Sequence, residues 1–336
     1  MHCVPRQSLG TRNHLLAKVA TKSRKMMQIL ELFSGIGGVA EAVRQSPQLG
    51  RIHQAVDIDQ QCARVYAHNF GDSPVVATIE SPHSWQTNID WRSADAWWLS
   101  PPCQPYCRRG RQAADDPRRA AFQQVMRVLQ SAGDAVPQRI AMENVPEFRG
   151  SDDHQQWLRL LNELGYRVTE QCLCPSAWQR PNRRLRYYVT AWRSDICEQP
   201  PPPVTPSPGS LPVDPLSTYL DAEVDDNLWI DDTQPGAFAT ALQAGALHIV
   251  DADDEQACTA CFTGGYGKSI KQAGSYLRVG GRLRRFSPNE IQRLLGFDAH
   301  AFTWPDDIPL RRRWKMLGNS LALPVVRDVL ASLMYN

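Results

Sequence analysis

The segment Glu31-Leu-Phe-Ser-Gly-Ile-Gly-Gly38 constrains this chain more than any other. Residues 28–33 form a short apolar run that enters a glycine turn, and residues 39–44 open a helix. Glycine lets backbone approach a ligand closely, and a helix N-terminus leaves N–H groups free to bind one. The spacing is not G-x-G-x-x-G, and no Lys-Ser/Thr follows as in a phosphate-binding loop. The same pattern recurs downstream. Residues 53–58 read as a strand ending near Asp57, residues 96–100 as a strand stopped by Pro101 and Pro102, residues 140–142 as a strand running into Glu143, and residues 186–192 as another. Residues 122–132 and 152–164 are helical by spacing, with Gly165 as a stop. Strands alternating with helices predict an α/β fold with a doubly wound, mostly parallel, Rossmann-like sheet.

The character of the chain changes after Arg193. Residues 199–215 are rich in proline, as suits a linker or an extended surface segment. From Ser194 to Gly267 there is no Lys or Arg, while acids recur through Asp254 and Glu255. Basic residues then return at Lys268, Lys271, Arg278, Arg282, Arg284 and Arg285, and helical spacing resumes over 288–295 and 324–333. With 336 residues, the chain has room for one large domain and a smaller one. The expected division is a basic, disordered extension over 1–27, with Met26 or Met27 as the natural start; a large domain over 28–193; a smaller second domain over 194–300; and a return to the large domain over 301–336.

A hydrophobic fraction of 42% against 21% charged residues excludes a chain that cannot build a core. The net charge of +2 does not by itself announce a nucleic-acid partner. No apolar run is long enough for a membrane span, and residues 1–27 lack the apolar centre of a signal peptide. The cysteines number nine and are scattered, which fits reduced thiols in a cytoplasmic protein. A monomer is expected.

Ser100-Pro-Pro-Cys-Gln-Pro-Tyr106 lies just past a strand end, where open parallel sheets bind their ligands. The prolines make a rigid loop around Cys103, an unusual setting for a merely structural thiol. Glu143-Asn-Val145 lies at the next strand end, and Arg184 and Arg186 open another strand. One thiol, one carboxyl and two guanidinium groups therefore converge on one rim. Such a set fits methylation of cytosine at carbon-5. A thiolate adds to carbon-6 and makes carbon-5 nucleophilic, a carboxylic acid stabilises the charge developing at N3, and cations favour the thiolate. A protease-type cysteine would need a histidine base, and the nearest in sequence are His83 and His154. Cys258-x-x-Cys261 would need two further ligands for zinc, with Cys172 and Cys174 the only close pair, and His68, His154 and His248 show no ligand spacing. No metal is expected.

On these residues the sequence resembles the cytosine-5 methyltransferase family. Phe33-Ser-Gly-x-Gly-Gly38, Pro101-Pro-Cys-Gln104, Glu143-Asn-Val145, Arg184-x-Arg186 and Gly318-Asn-Ser320 occur in the family's order, over essentially residues 28–336. The resemblance implies that the second domain recognises the target. It also implies a catalytic set of Cys103 as nucleophile, Glu143 as N3 partner, and Arg184 and Arg186, with Arg186 on the flipped base. An S-adenosylmethionine site, releasing S-adenosylhomocysteine, would be lined by Phe33, Ser34, Ile36, Gly37, Gly38, Asp57, Ile58, Ile79, Glu80, Ser100, Pro102, Asn319 and Ser320. Many DNA enzymes of the family carry an acid where this chain has Thr78. The adenine contact then passes to neighbours such as the Ile79 backbone.

The chain is also similar to a branch of that family that modifies tRNA, the type-2 DNA-methyltransferase homologues. The matching features are Cys261-Phe-Thr263 within Cys258–Gly267, Thr78-Ile-Glu80, Gln104-Pro-Tyr106 followed by Gly110-Arg-Gln112, and Pro181-Asn-x-Arg-Leu-Arg186. Where that branch usually has Thr, this chain has Cys107. The resemblance implies a tRNA substrate, in the anticodon loop of an aspartate-type tRNA. Charge agrees, because a reader of duplex DNA must neutralise many phosphates, and the bulk of the second domain has no cation. Nucleic-acid contacts are expected from Arg108, Arg109, Arg111, Cys261, Phe262, Thr263, Lys268 and Lys271, whereas Arg311–Arg313 read as a solvated face. The alternatives are a DNA cytosine-5 methyltransferase and a catalytically silent nucleic-acid-binding protein of the same fold.

Overall fold

The structure is a computed structural model that describes residues 26–107, 116–206, 214–231 and 235–334. The first half alternates as expected: β1 (Gln28–Leu32), α1 (Gly38–Gln45), β2 (Arg51–Asp57), α2 (Gln60–Phe70), β3 (Val75–Val76), α3 (Pro82–Thr87), β4 (Ala96–Leu99), α4 (Ala120–Ser131), β5 (Arg139–Asn144), α5 (Asp152–Glu163), β6 (Tyr166–Leu173) and β7 (Arg186–Arg193). These strands form one 7-stranded sheet in the order β3-β2-β1-β4-β5-β7-β6. The order reverses between β1 and β4, and a crevice opens at the carboxyl ends of strands at such a switch point. The glycine turn after β1 and the Cys103 loop after β4 both emerge there.

β4 shows why the sheet is buried on both faces. Its sequence Ala-Trp-Trp-Leu is fully buried, and successive side chains point to opposite faces. Trp97 packs with Trp85 and Trp91 in a core shared with Phe122, Leu129 and Trp157 from α4 and α5. Trp98 joins the opposite layer with Val39 and Val43 of α1 and Val326 and Leu330 of the last helix. Burying each of these large side chains contributes about 1.5–3 kcal/mol.

The sheet departs from the sequence expectation at one edge. β7 pairs antiparallel with both β5 and β6. No α-helix separates β6 from β7; the connection, residues 174–185, holds only a short 3-10 helix, Pro175–Trp178. A return with no crossover α-helix on the sheet face favours antiparallel pairing.

The chain then forms α6 (Ala237–Gln243), β8 (Ile249–Asp251), β9 (Tyr276–Val279), β10 (Arg282–Arg285), α7 (Pro288–Leu295), α8 (Leu310–Gly318) and α9 (Leu323–Ser332). β10-β9-β8 make a separate 3-stranded sheet. A second apolar core gathers Leu216, Phe262, Leu277, Phe286 and Leu294, and reaches Ile36 and Val65 of the first unit. α9 lies back against α1, so chain start and chain end share one layer. Among the described residues no helix is long and apolar enough to cross a membrane.

Candidate active site

Cys103 sits in a tight turn past β4, where the Tyr106 and Cys107 amides donate to its carbonyl at 3.0 and 3.1 Å. Other bonds fix this loop from outside. Asn144 donates from its amide to the Pro101 carbonyl at 3.3 Å. Tyr106 donates its hydroxyl to Asp153 at 2.6 Å, and Arg119 binds the same carboxylate at 2.7 and 2.9 Å. The partnership of Tyr106, Arg119 and Asp153 carries no sequence signal, because residues so far apart are joined only by the fold. Asn144 did carry one, since it follows Glu143 in the motif.

Glu143 ends β5 with its side chain 11% exposed, and its Oε1 lies 3.3 Å from Arg186 Nε. Burial pushes the Glu143 carboxyl above its ordinary value, against the opposing pull of Arg186 and then Arg184. A terminal nitrogen of Arg186 reaches Cys261 Sγ at 3.4 Å. Burial raises the Cys261 thiol, but the Arg184 and Arg186 charges outweigh it and bring the thiol below its ordinary value. Cys261 of the second domain is thereby wired to the carboxyl of the first.

Arg184 differs from the expectation of a catalytic role. Its side chain is buried, and its terminal nitrogens donate to the carbonyls of Phe262 at 3.0 Å, Gly318 at 3.2 Å and Ser320, besides Cys261 Sγ at 3.5 Å. Those bonds engage both terminal nitrogens with the chain's own groups. It fastens the second domain to the loop before α9, and this is a positioning role.

Gly318 shows how close that junction is. A Cβ there would lie 2.2 Å from the Thr263 carbonyl carbon, so only glycine fits. The Gly318-Asn-Ser320 and Cys261-Phe-Thr263 motifs thus pack directly on each other. Phe262 is corrected as a nucleic-acid contact: its ring is 3% exposed and packs edge-on against Tyr266 and Phe286. Cys261 and Thr263 are half-buried, and Lys268 and Lys271 are exposed. Arg284 pairs with Glu290 in the core at 2.6 Å, and Arg278 pairs with Asp251 at 3.2 Å. Arg108, Arg109 and Arg111 lie outside the described residues.

At the switch point a small cleft is lined by Phe33, Ser34, Ile36, Gly38, Ser100, Asn319 and Ser320 among the expected residues. Phe33 adopts φ 61°, an uncommon conformation for a residue with a side chain. Gly37 has φ 87°, and a Cβ there would strike the Phe70 ring at 2.4 Å. The Ser34 hydroxyl is buried with no partner in the protein. An orphaned buried hydroxyl in the wall of a cleft fits a polar ligand.

Gly37, Asp57, Ile58, Ile79, Glu80 and Pro102 do not line this cleft. The Asp57 carboxylate already accepts from the Gly35 amide at 2.7 Å and the Asp59 amide at 2.8 Å. Ile79 is in the core, and its carbonyl accepts from the Trp85 indole at 2.7 Å. Ile58 points outward, 65% exposed. Sequence reasoning missed Arg312, which lines the cleft and pairs with Asp59 instead of forming a solvated face. Among the described residues no group of three or more His, Cys, Asp or Glu is arranged to hold a metal ion.

A thiol, a buried carboxyl and a guanidinium lie at strand ends by the switch point of a mostly parallel sheet, where a cleft opens, and this is the arrangement of a Rossmann-like methyltransferase. The chain belongs to the C-5 cytosine-specific DNA methylase family, whose sequence profile matches residues 27–226. It is therefore a cytosine-5 methyltransferase, and that chemistry implies a methyl donor. Among its relatives, the tRNA (cytosine(38)-C(5))-methyltransferase of Spodoptera frugiperda is 28% identical, covering 90% of this chain and 98% of the relative. The enzyme of the same name from Schizosaccharomyces pombe is 29% identical, covering 93% and 98%. The crystal structure of a mutant Spodoptera frugiperda DNMT2 superposes with a TM-score of 0.76 at 27% identity, covering 92% of this chain and 100% of that one.

Proposed function

We propose that the protein is a tRNA cytosine-5 methyltransferase that uses S-adenosylmethionine and acts on an anticodon-loop cytosine of an aspartate-type tRNA. The observation that carries this reading is the wiring of Cys261 into the catalytic site. Cys261 opens the Cys-Phe-Thr signature of the tRNA-directed branch, and it touches both Arg184 and Arg186. The names of the relatives that span nearly the whole chain support the same substrate.

In this reading Cys103 Sγ adds to carbon-6 of a cytosine turned out of its loop. Glu143, whose proton affinity burial raises, donates to N3 as negative charge gathers on the ring. Arg186 holds that carboxyl and lies against the base. Bound S-adenosylmethionine supplies an electrophilic methyl group, and S-adenosylhomocysteine is the product. Loss of the carbon-5 proton then expels the thiolate and frees the enzyme. Ser34, the Gly35–Gly38 turn and Asn319-Ser320 are the residues that would hold the cofactor. Asp57 and Ile58 stand at the mouth of the turn as further candidates.

A loop base is already partly unstacked, which lowers the cost of turning it out. Lys268 and Lys271, exposed just past Thr263, and Arg108, Arg109 and Arg111 just past Cys103 are the proposed phosphate contacts. The cysteines among the described residues are free thiols, which supports a cytoplasmic setting.

The test supplies labelled S-adenosylmethionine with total tRNA and, separately, with genomic DNA. Label is expected in tRNA. Label in DNA alone would transfer the assignment to DNA, and label in neither would favour a silent binding protein.

A further inference from the structure

The catalytic turn carries two thiols. Cys107 follows Cys103 by one turn, with its amide donating to the Cys103 carbonyl at 3.1 Å. The two side chains hydrogen-bond each other, and both are half-buried. In such a turn, Cα atoms four residues apart are about 6 Å apart, inside the roughly 4.4–6.8 Å range that a disulfide accepts. The turn is held in this shape, since Tyr106 between the two cysteines is tied to Asp153 at 2.6 Å.

The surroundings favour a thiolate on this pair. The hydrogen bond to Cys107 and burial both push the Cys103 thiol up. The same bond lowers Cys107 to about 7, with Arg186 and Arg118 contributing. One proton thus lies between two sulfurs, with the negative charge favoured on Cys107. A thiolate that is partly accessible and beside a second thiol is the arrangement found at oxidation-sensitive sites.

We propose that Cys103 and Cys107 form a reversible disulfide when the protein meets a hydroperoxide, and that this removes the nucleophile. The Cys107 thiolate attacks one oxygen of the hydroperoxide. The O–O bond breaks, and the other oxygen leaves as water or an alcohol. The Cys103 sulfur then attacks the sulfenic sulfur, the S–S bond forms, the S–O bond breaks, and water departs. Two thiols have lost two electrons and two protons, and the hydroperoxide has gained them. A small dithiol restores both thiols by exchange. So short a ring constrains the unfolded chain little, and bonds of this kind are the labile, easily reduced ones. The consequence for activity rests on the proposed role of Cys103; the formation of the bond does not.

Both cysteines fall in one tryptic peptide, residues 93–108. The test treats the purified full chain with hydrogen peroxide, blocks remaining thiols with iodoacetamide, and weighs that peptide. The expected peptide is two hydrogens lighter than its reduced form and carries no blocking group, while methyl transfer is lost. Dithiothreitol should restore both thiols and activity. Two blocked cysteines after an inactivating treatment would overturn the proposal. So would Cys103 found as a sulfinic acid, or joined to a different peptide such as the one holding Cys261. Untreated, reduced protein that methylates nothing would count against the functional reading alone, since the peptide mass does not depend on turnover.

Discussion

Glu143 and Arg186 form an ion pair at 3.3 Å in which the side chains are only 11% and 14% exposed. The pair does not leave Glu143 as an ordinary carboxylate. Burial outweighs the attraction of the guanidinium, and the carboxyl keeps its proton at a pH where an exposed one has lost it. In the proposed mechanism this proton is the one offered to the cytosine ring.

The pH dependence of turnover follows from that proton. The acid form of Glu143 is the working one, so kcat should fall as pH rises through its raised pKa. Glu143→Gln should remove this alkaline limb and lower kcat by about 10²–10⁴-fold, the usual worth of a positioned acid. Single-turnover methylation across pH checks it. A variant that keeps the wild-type profile would count against the assignment.

Cys103→Ala should reduce methyl transfer by at least about 10³-fold, as removal of a nucleophile does. Binding of S-adenosylmethionine, followed by calorimetry, should persist because the cleft is lined by other residues. Residual turnover within tenfold of wild type would rule out Cys103 as the attacking group.

Arg184→Met should cost stability before it costs chemistry. It leaves the carbonyls of Phe262, Gly318 and Ser320 without this donor. At about 1–3 kcal/mol for each unsatisfied buried group, a loss of about 3–5 kcal/mol is expected. Urea unfolding measures it. A loss below about 1 kcal/mol would show that water replaces the guanidinium freely.

Glu31 predicts a pH effect on folding. Its side chain is buried beneath α1, accepting from the Val39 amide at 3.1 Å, and burial pushes its pKa from about 4.5 up to about 8. The folded chain therefore holds a proton that the unfolded chain releases. The contribution is fully present below about 4.5 and is lost as pH rises towards about 8. Glu31→Gln should raise the thermal midpoint relative to wild type at pH 8.5 more than at pH 5. Midpoints that shift equally at both pH values would refute the buried proton.

The strands and motif positions around the site were legible in the sequence because their physics is local. Apolar runs cut off by Gly35 and by Pro101 mark strand ends, and strand ends in such sheets carry the ligands. β6 was not read, because as an edge strand it is only partly buried and its apolar signal is weak. α2 escaped although its signals were present: Asp59 caps it through the Gln61 and Cys62 amides, and Gly71 at φ 79° ends it. The antiparallel course of β7 depends on a missing helix, which periodicity does not weigh. Arg184 and Arg186 look equivalent as letters two apart. Only the fold shows that one faces backbone carbonyls of the chain's end and the other faces Glu143.

The cleft beside Cys103 has walls from opposite ends of the polypeptide. Ser34 and Ile36 follow the first strand, and Asn319 and Ser320 precede the last helix. During synthesis the ribosome therefore delivers the Ser34 wall well before the Asn319 wall. A nascent chain has its nucleophile long before it has a complete cleft. A chain released short of residue 319 would carry Cys103 without Asn319 and Ser320 of the far wall and without the Ser320 carbonyl that accepts from Arg184. With the proposed cofactor seated in this cleft, only a chain that carries both walls can recruit it, and that binding then favours the assembled fold over such a fragment.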